Sequence, residues 1–352
     1  MFSKLVRSGF EHAAVRKRLT ETRSLLLQGE NHIASEDESD HPRSVMTIGI
    51  ISPGAVSVLC PSLECIAFRD CTAAPLHHTF RALRLCQSVT ELSLVGVKFI
   101  DSYDLQSAVP RLRKLGMERI WYLRHERETA SAPSTQWRLS SHKPPNCRAL
   151  PRLEHLRIGP NLPDDVFAEL VEWLVGTPAC KSVSTLEIWQ VDGYIPSANK
   201  LLEAVGPFLL HLHELSTAAA PTHLHMDLRH NINLRYLHSY IEPFEEAPAQ
   251  TTLLHFLSSI RSKHLEEIRL LTCYGLLFST LFEARVAESL PDPKRLAILD
   301  RPVFSALKSV VVDVKLGWYA QREDLFVNKM REMLLPWHVR GILKFERTVG
   351  LF

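Results

Sequence analysis

The chain has 352 residues, of which 45% are hydrophobic and 23% charged, the balance of a folded protein. Its 41 Lys and Arg residues nearly cancel its 39 Asp and Glu residues, so the formal net charge of +2 gives no reason to expect nucleic acid or a membrane surface as partner. No run approaches the ~20 apolar residues of a membrane-spanning helix. Seven cysteines without a disulfide-like spacing favour an intracellular protein, cytoplasmic or nuclear.

The first 45 residues have the composition of two segments outside the folded core. Residues 2–23 interleave basic and apolar side chains, which predicts a basic amphipathic helix. Residues 30–42 contain the acidic run Glu36 to Asp40 and too little apolar surface to fold alone. We therefore expect residues 1–45 to be a poorly ordered helix and linker, and residues 46–352 to form the folded domain.

From residue 63 onward the sequence repeats the pattern Leu-x-x-Leu-x-Leu, with conservative apolar substitutions. Most intervals between successive copies are near the ~20–29 residue period of leucine-rich repeats, and the long intervals require inserted helices or loops. Two central copies are weaker, because Glu214 and Ser239 stand where the third apolar residue is expected. The nine copies are Leu63/Ile66/Phe68, Val89/Leu92/Leu94, Leu112/Leu115/Met117, Leu153/Leu156/Ile158, Val183/Leu186/Ile188, Leu209/Leu212, Leu234/Leu237, Leu265/Ile268/Leu270 and Leu307/Val310/Val312.

Each copy predicts a short strand, because its fourth and sixth positions project to the same side and would face a shared core. Between the strands the apolar spacing becomes helical. We therefore predict an α/β fold, an irregular leucine-rich-repeat solenoid with a curved parallel sheet inside and helices outside. The predicted helices lie at Leu76–Leu83, Val166–Leu174, Leu201–Val205, Leu254–Ile260 and Leu325–Leu334, the last stopping at Pro336 before a closing strand at Ile342–Phe345.

The order of the copies and the residues with which they begin are also characteristic, in addition to the repeat pattern. Several copies open with Pro-x-Leu-x-x-Leu, and two units read Asn231–Leu237 and His264–Leu270. The tail Phe304–Phe345 adds a strand, a helix and a short final strand. Together, over roughly residues 55–345, these features resemble the repeat portion of fungal F-box-like proteins.

The resemblance implies substrate recognition for a cullin-type ubiquitin ligase, with a protein bound on the repeat face and the ligase adaptor bound through the N-terminus. An F-box opens with Leu-Pro and closes with a Cys-x-x-Trp-like sequence, and neither occurs in Met1–Ile51. The alternative is a stand-alone scaffold or inhibitor that holds a protein without any link to ubiquitination. Neither hypothesis involves nucleic acid or a membrane.

Sequence motifs of common enzymes are missing from the chain: there is no Gly-rich phosphate loop, no Gly-x-Ser-x-Gly elbow and no His-Glu-x-x-His. The stretch from His211 to His230 is rich in histidine, and pairs such as His211 and His213 could chelate zinc from one strand face. Zinc sites usually need a third and a fourth ligand at organised spacing. We therefore predict no metal, no cofactor and no enzymatic activity, and keep a metal-dependent enzyme as a third hypothesis.

The third, fifth and seventh positions of each copy point away from the core, toward the concave face of the predicted solenoid. Aromatic and arginine side chains dominate the binding energy of protein interfaces, so we expect the partner to contact this face. The predicted partner-binding residues are His155, Arg157, Glu187, Trp189, Tyr236, His238, Tyr240, Glu267 and Arg269.

Overall fold

The computed structural model describes the repeat strands and most of the elements between them. The described residues are 12–28, 58–71, 86–99, 111–122, 152–160, 162–190, 194–216, 226–240, 249–274, 297–316 and 323–348. The chain divides into two compact units, Met1–Ala179 and Cys180–Phe352, called unit 1 and unit 2 below. The predicted helix Leu76–Leu83 and the predicted boundary between residues 45 and 46 lie outside the described residues.

Among the described residues of unit 1, five strands of the main sheet are parallel and pair in chain order, one from each of the first four repeat copies and one from the N-terminal segment. The register aligns the fourth repeat positions, so that Ile66, Leu92, Leu115 and Leu156 lie side by side and are buried. The elements are α1 (Ala13–Thr20), β1 (Ser24–Gln28), β2 (Cys65–Arg69), β3 (Glu91–Val95), the short pair β4 (Lys98–Phe99) and β6 (Trp121–Tyr122), β5 (Lys114–Glu118), β7 (His155–Ile158) and α2 (Asp164–Val175).

The N-terminal segment contributes more structure than its composition predicts. Helix α1 falls within the predicted basic helix and buries no residue. Strand β1 pairs in parallel with β2, with Leu25 beside Ile66 and Leu27 beside Phe68. Leu27 is buried, so β1 is a further, degenerate repeat strand in which Thr22 occupies the position of the first leucine.

Unit 2 contains six parallel strands, again paired in chain order. Its register aligns Leu186, Leu212, Leu237, Ile268 and Val310, all of which are buried. The elements are β8 (Thr185–Gln190), α3 (Ile195–Val205), β9 (His211–Ser216), β10 (Tyr236–Tyr240), α4 (Ala249–Ser259), β11 (Glu267–Tyr274), β12 (Ser309–Leu316), α5 (Glu323–Met333), α6 (Leu335–Val339) and β13 (Leu343–Thr348).

One parallel strand per repeat, with a continuous apolar seam behind it, confirms the predicted α/β leucine-rich-repeat architecture within each unit. The predicted helices α2, α3 and α4 are also present. Helix α2 buries Val166, Leu170 and Leu174 on one face and ends at Gly176. Among the described residues, every helix falls short of the length and hydropathy that crossing a bilayer requires.

The C-terminal helix differs from its prediction. Helix α5 ends at Met333, and Pro336 lies in the first turn of the separate helix α6 instead of terminating a helix. Proline is tolerated there because the first-turn N–H groups have no partner within a helix. The new helix places Trp337 in the core, where its indole N–H donates to the carbonyl of Leu299 at 3.2 Å and its ring lies 5.4 Å from that of Phe304.

Two neighbouring core positions of unit 2 are polar. Glu214 and Ser239 occupy the sixth repeat position of β9 and β10, pair in the sheet register, and are fully buried. The Ser239 hydroxyl donates to Oε2 of Glu214 at 2.6 Å, and the amide of Met226 lies 3.5 Å from Oε1. The two residues that depart from the apolar pattern in the sequence therefore form a matched, hydrogen-bonded pair in the structure.

The turns after β2, β3 and β5 share one unusual conformation. Asp70, Gly96 and Arg119 stand at the eighth position of successive repeats and have φ values of 52°, 65° and 52°. Their amides donate to the carbonyls of Val95, Glu118 and Pro160 in the following repeat. Successive turns are therefore linked by the same type of hydrogen bond.

Candidate binding face

The predicted partner-binding residues belong to strands of both units. Along β8, Leu186 and Ile188 are buried while Thr185, Glu187 and Trp189 are partly exposed, as the alternation of a strand requires. His155 and Arg157 lie on β7 of unit 1. The third, fifth and seventh repeat positions of β8 to β13, here called the unit 2 face, contain Glu187, Trp189, Tyr236, His238, Tyr240, Glu267 and Arg269.

The centre of the unit 2 face is a cluster of four rings, here called the ring patch: His211, His213, Tyr236 and His238. His211 is the register partner of Tyr236, and the two rings stack with centroids 4.6 Å apart and an angle of 6° between their planes. His213 is the register partner of His238, with centroids 5.4 Å apart in an edge-to-face arrangement. Tyr236 keeps 37% of its surface exposed.

Sequence reasoning placed only Tyr236 and His238 of the ring patch on the face. It considered His211 and His213 as metal ligands, because the weak copy Leu209/Leu212 was not used to assign face positions. The signal was present in the sequence, since the repeat register puts His211 and His213 at the third and fifth positions of that copy.

His211, one of the four rings of the ring patch, is uncharged near neutral pH. Burial lowers the pKa of His211, and the neighbouring His213 and Arg235 lower it further because they disfavour an added positive charge. Carboxylates stand on both sides of the patch: Glu187 is the register partner of His213, and Glu267 is the register partner of Tyr236. His211 therefore adds no positive charge near neutral pH to a ring patch that lies between two acidic residues.

Arg269 is held by carboxylates of its own face. Its Nη1 donates to Oε2 of Glu346 at 2.8 Å and lies 3.9 Å from Oδ2 of Asp313, while its Nε lies 3.8 Å from Oε1 of Glu267. Three carboxylates surround one guanidinium, so this part of the face is acidic and Arg269 is already engaged. The prediction of Arg269 as a partner-binding residue stays a prediction.

The other two predicted aromatic residues differ in exposure. Tyr240 is buried, with 6% of its surface exposed, so little of its ring is accessible to a partner. Trp189 is half-buried, and its indole N–H is buried without a hydrogen-bond partner in the described part of the chain. Tyr236 is therefore the most accessible aromatic residue among those predicted.

The histidine-rich stretch is only partly described. His223 and His225 lie outside the described residues, and His230 is exposed in the turn before β10. No group of three or more His, Cys, Asp or Glu side chains is arranged to hold a metal ion within the described ranges. Cys60 and Cys71 are buried, and burial raises the pKa of the Cys60 thiol.

Comparison with known proteins adds little to this geometry. No family model matches the sequence, and no curated protein matches it. Among solved structures, the chain is similar to an internalin (inlF) from Listeria monocytogenes, at 11% identity, with 88% of each chain covered and a TM-score of 0.24. A likeness at this level does not establish a shared fold, so the repeat architecture rests on the chain's own strands and core.

Proposed function

We propose that this chain is a protein-binding repeat module and that the unit 2 face is its contact surface. The observation that carries the proposal is Tyr236, which is 37% exposed and is stacked on His211. A tyrosine held in place before binding loses little side-chain freedom on binding, and exposed tyrosines are enriched among the residues that dominate interface energies. Its neighbours on the face are held in place by ring stacking and ion pairs, so they too are ordered before a partner binds.

We further propose that the bound protein is presented to a cullin-type ubiquitin ligase. This part rests on the resemblance of the array to the repeat portion of fungal F-box-like proteins. A stand-alone scaffold or inhibitor is the second candidate, because the Leu-Pro and Cys-x-x-Trp-like signatures do not occur in Met1–Ile51.

Affinity purification separates these two candidates. The tagged full-length chain is isolated from its native cells, and the co-purifying proteins are identified by mass spectrometry. Recovery of the ligase adaptor and a cullin supports the ligase role, and the remaining proteins are then candidate substrates. Enrichment of another protein without either ligase component contradicts the ligase role and supports the scaffold.

The contact surface is tested by Tyr236→Ala on the protein captured in that experiment. Loss of a dominant interface residue costs about 2 kcal/mol or more, so we expect affinity to fall by about thirtyfold. Phe208→Ala is the matched control, because Phe208 is an exposed aromatic residue of unit 2 that lies on a 3-10 helix outside the face. Equal capture by both variants would show that the unit 2 face is not the contact surface.

A further inference from the structure

Charge is distributed unevenly on the unit 2 face. Its described acidic residues are Glu187, Glu267, Asp313 and Glu346, and its described basic residues are Arg269 and Lys344. Arg269 is engaged by three of the four carboxylates. The face is therefore net acidic although the whole chain carries a formal charge of +2.

The ring patch adds a second feature that favours positive charge. The face of a tyrosine ring attracts a cation placed within about 6 Å of its centroid. Tyr236 is accessible, and the register places Glu267 on the next strand, about 4.8 Å away along the hydrogen-bonding direction. A cation above Tyr236 would therefore meet the aromatic ring and the Glu267 carboxylate at the same time.

On the other side of the patch, Glu187 stands beside His213, so the rings lie between two carboxylates. The basic residues at the edge of the patch are paired with another carboxylate: Arg235 lies 3.7 Å from Glu266, and Lys308 donates to the same side chain. That hydrogen bond raises the pKa of Lys308 and lowers the pKa of Glu266, so both stay charged and paired near neutral pH.

We propose that the partner segment recognised by the unit 2 face is basic, and that one of its arginine or lysine side chains lies over the ring patch between Glu187 and Glu267. The inference rests on the protein-binding function proposed above and specifies the chemistry of the partner. Complementary charge would steer the encounter and reject acidic segments.

A dependence on pH follows from the same arrangement. Acidification protonates His211, one of the imidazoles of the ring patch, once the pH falls below its lowered pKa. The charged or titratable groups around these imidazoles are Glu187 on β8, Arg235 and Tyr236 at β10, and Glu267 and Arg269 on β11. The added positive charge repels a basic segment, so binding weakens as the pH falls.

The test uses the full-length chain and fluorescein-labelled peptides that repeat Gly-Ser-Arg, Gly-Ser-Gln or Gly-Ser-Glu. Binding is followed by fluorescence anisotropy at low ionic strength. We expect the arginine peptide to bind at least about tenfold more tightly than the glutamine peptide, from a cation–π contact and exposed ion pairs together. As the pH is lowered from about 7.5 through the titration of His211, the affinity of the arginine peptide should fall by about fivefold.

The double variant Glu187→Gln/Glu267→Gln should weaken the arginine peptide by about fivefold, since each exposed ion pair contributes modestly. Glu203→Gln is the matched control, because Glu203 is exposed on helix α3 away from the face, and it should leave affinity unchanged. An unchanged urea midpoint in all variants shows that they are folded.

Equal binding of the arginine and glutamine peptides, or an unchanged affinity in the double variant, overturns the proposal. This failure is distinguishable from failure of the proposed function. If Tyr236→Ala abolishes capture of the cellular partner while the arginine peptide does not bind, the face is a contact surface of different chemistry. If Tyr236→Ala leaves capture unchanged, the contact surface itself is wrong.

Discussion

The sixth repeat position is filled in two different ways, by apolar side chains in unit 1 and by a polar pair in two neighbouring copies of unit 2. In unit 1 it holds Phe68, Leu94 and Met117 on β2, β3 and β5, and in unit 2 it holds Glu214 and Ser239 on β9 and β10. All five side chains are buried, with 4% or less of their surface exposed. The apolar set is stabilised by burial and dispersion, whereas the polar set is joined by a 2.6 Å hydrogen bond between neighbouring strands.

The difference shows that the position does not require an apolar residue. It accepts a polar side chain whose hydrogen bonds are made by neighbouring side chains. An apolar side chain accepts many neighbours, because dispersion is not directional. A buried carboxylate needs a particular donor, because leaving it without one costs most of its lost hydration. Unit 1 should therefore tolerate exchange among apolar residues at this position, and β9 and β10 should tolerate only changes made in both strands.

Placing a glutamate at the sixth repeat position of unit 1 should have the largest effect on stability. Leu94→Glu places a carboxylate beside Phe68 and Met117, which offer no donor, so we expect a loss of more than about 4 kcal/mol in the free energy of unfolding. Leu94→Ala, the control for lost volume, should cost about 3 kcal/mol. Urea denaturation of the two variants measures the difference. A Leu94→Glu protein as stable as Leu94→Ala would show that this core position is hydrated.

Removing the donor in unit 2 should have an intermediate effect. Ser239→Ala takes away the hydroxyl bonded to Glu214, and we expect a loss of about 2 kcal/mol, the range for a hydrogen bond to a charged group. The double variant Glu214→Leu/Ser239→Ala removes both polar groups and should lie within about 1 kcal/mol of the natural chain. The coupling energy from the double-mutant cycle is the measurement. Strict additivity of the single changes would contradict a matched pair.

The turns at the ends of the strands should give the smallest difference. Gly96 and Gly341 have φ values of 65° and 70°, so alanine at either position should cost about 1 kcal/mol from the left-handed backbone alone. At Gly96 an added Cβ would also overlap Oδ1 of Asp70 and lie 3.3 Å from its Cα, whereas at Gly341 no atom of the described residues lies within 4 Å. We expect Gly96→Ala to cost about 1 kcal/mol more than Gly341→Ala. Equal urea midpoints for the two variants would show that Asp70 moves aside freely.

The sequence alone determined the strands and their core faces. Local apolar spacing sets which side of a strand is buried, so each copy of the pattern, including the weak ones at Leu209 and Leu234, forms a strand with its leucines inside. The same register located Tyr236, His238, Glu267 and Arg269 on the opposite side. It did not find β1, because a copy with Thr22 in place of leucine carries too few matches to be distinguished from chance.

Only the tertiary structure decided which side chains meet across the strands. The stacking of His211 on Tyr236, the pairing of Arg269 with Asp313 and Glu346, and the bond between Glu214 and Ser239 each join residues from different repeats. Their contact depends on the pairing of neighbouring strands and on side-chain conformations, which the spacing of apolar residues within one repeat does not specify. Burial, set by packing, also made Tyr240 inaccessible and left Tyr236 exposed, although both stand on the same side of one strand.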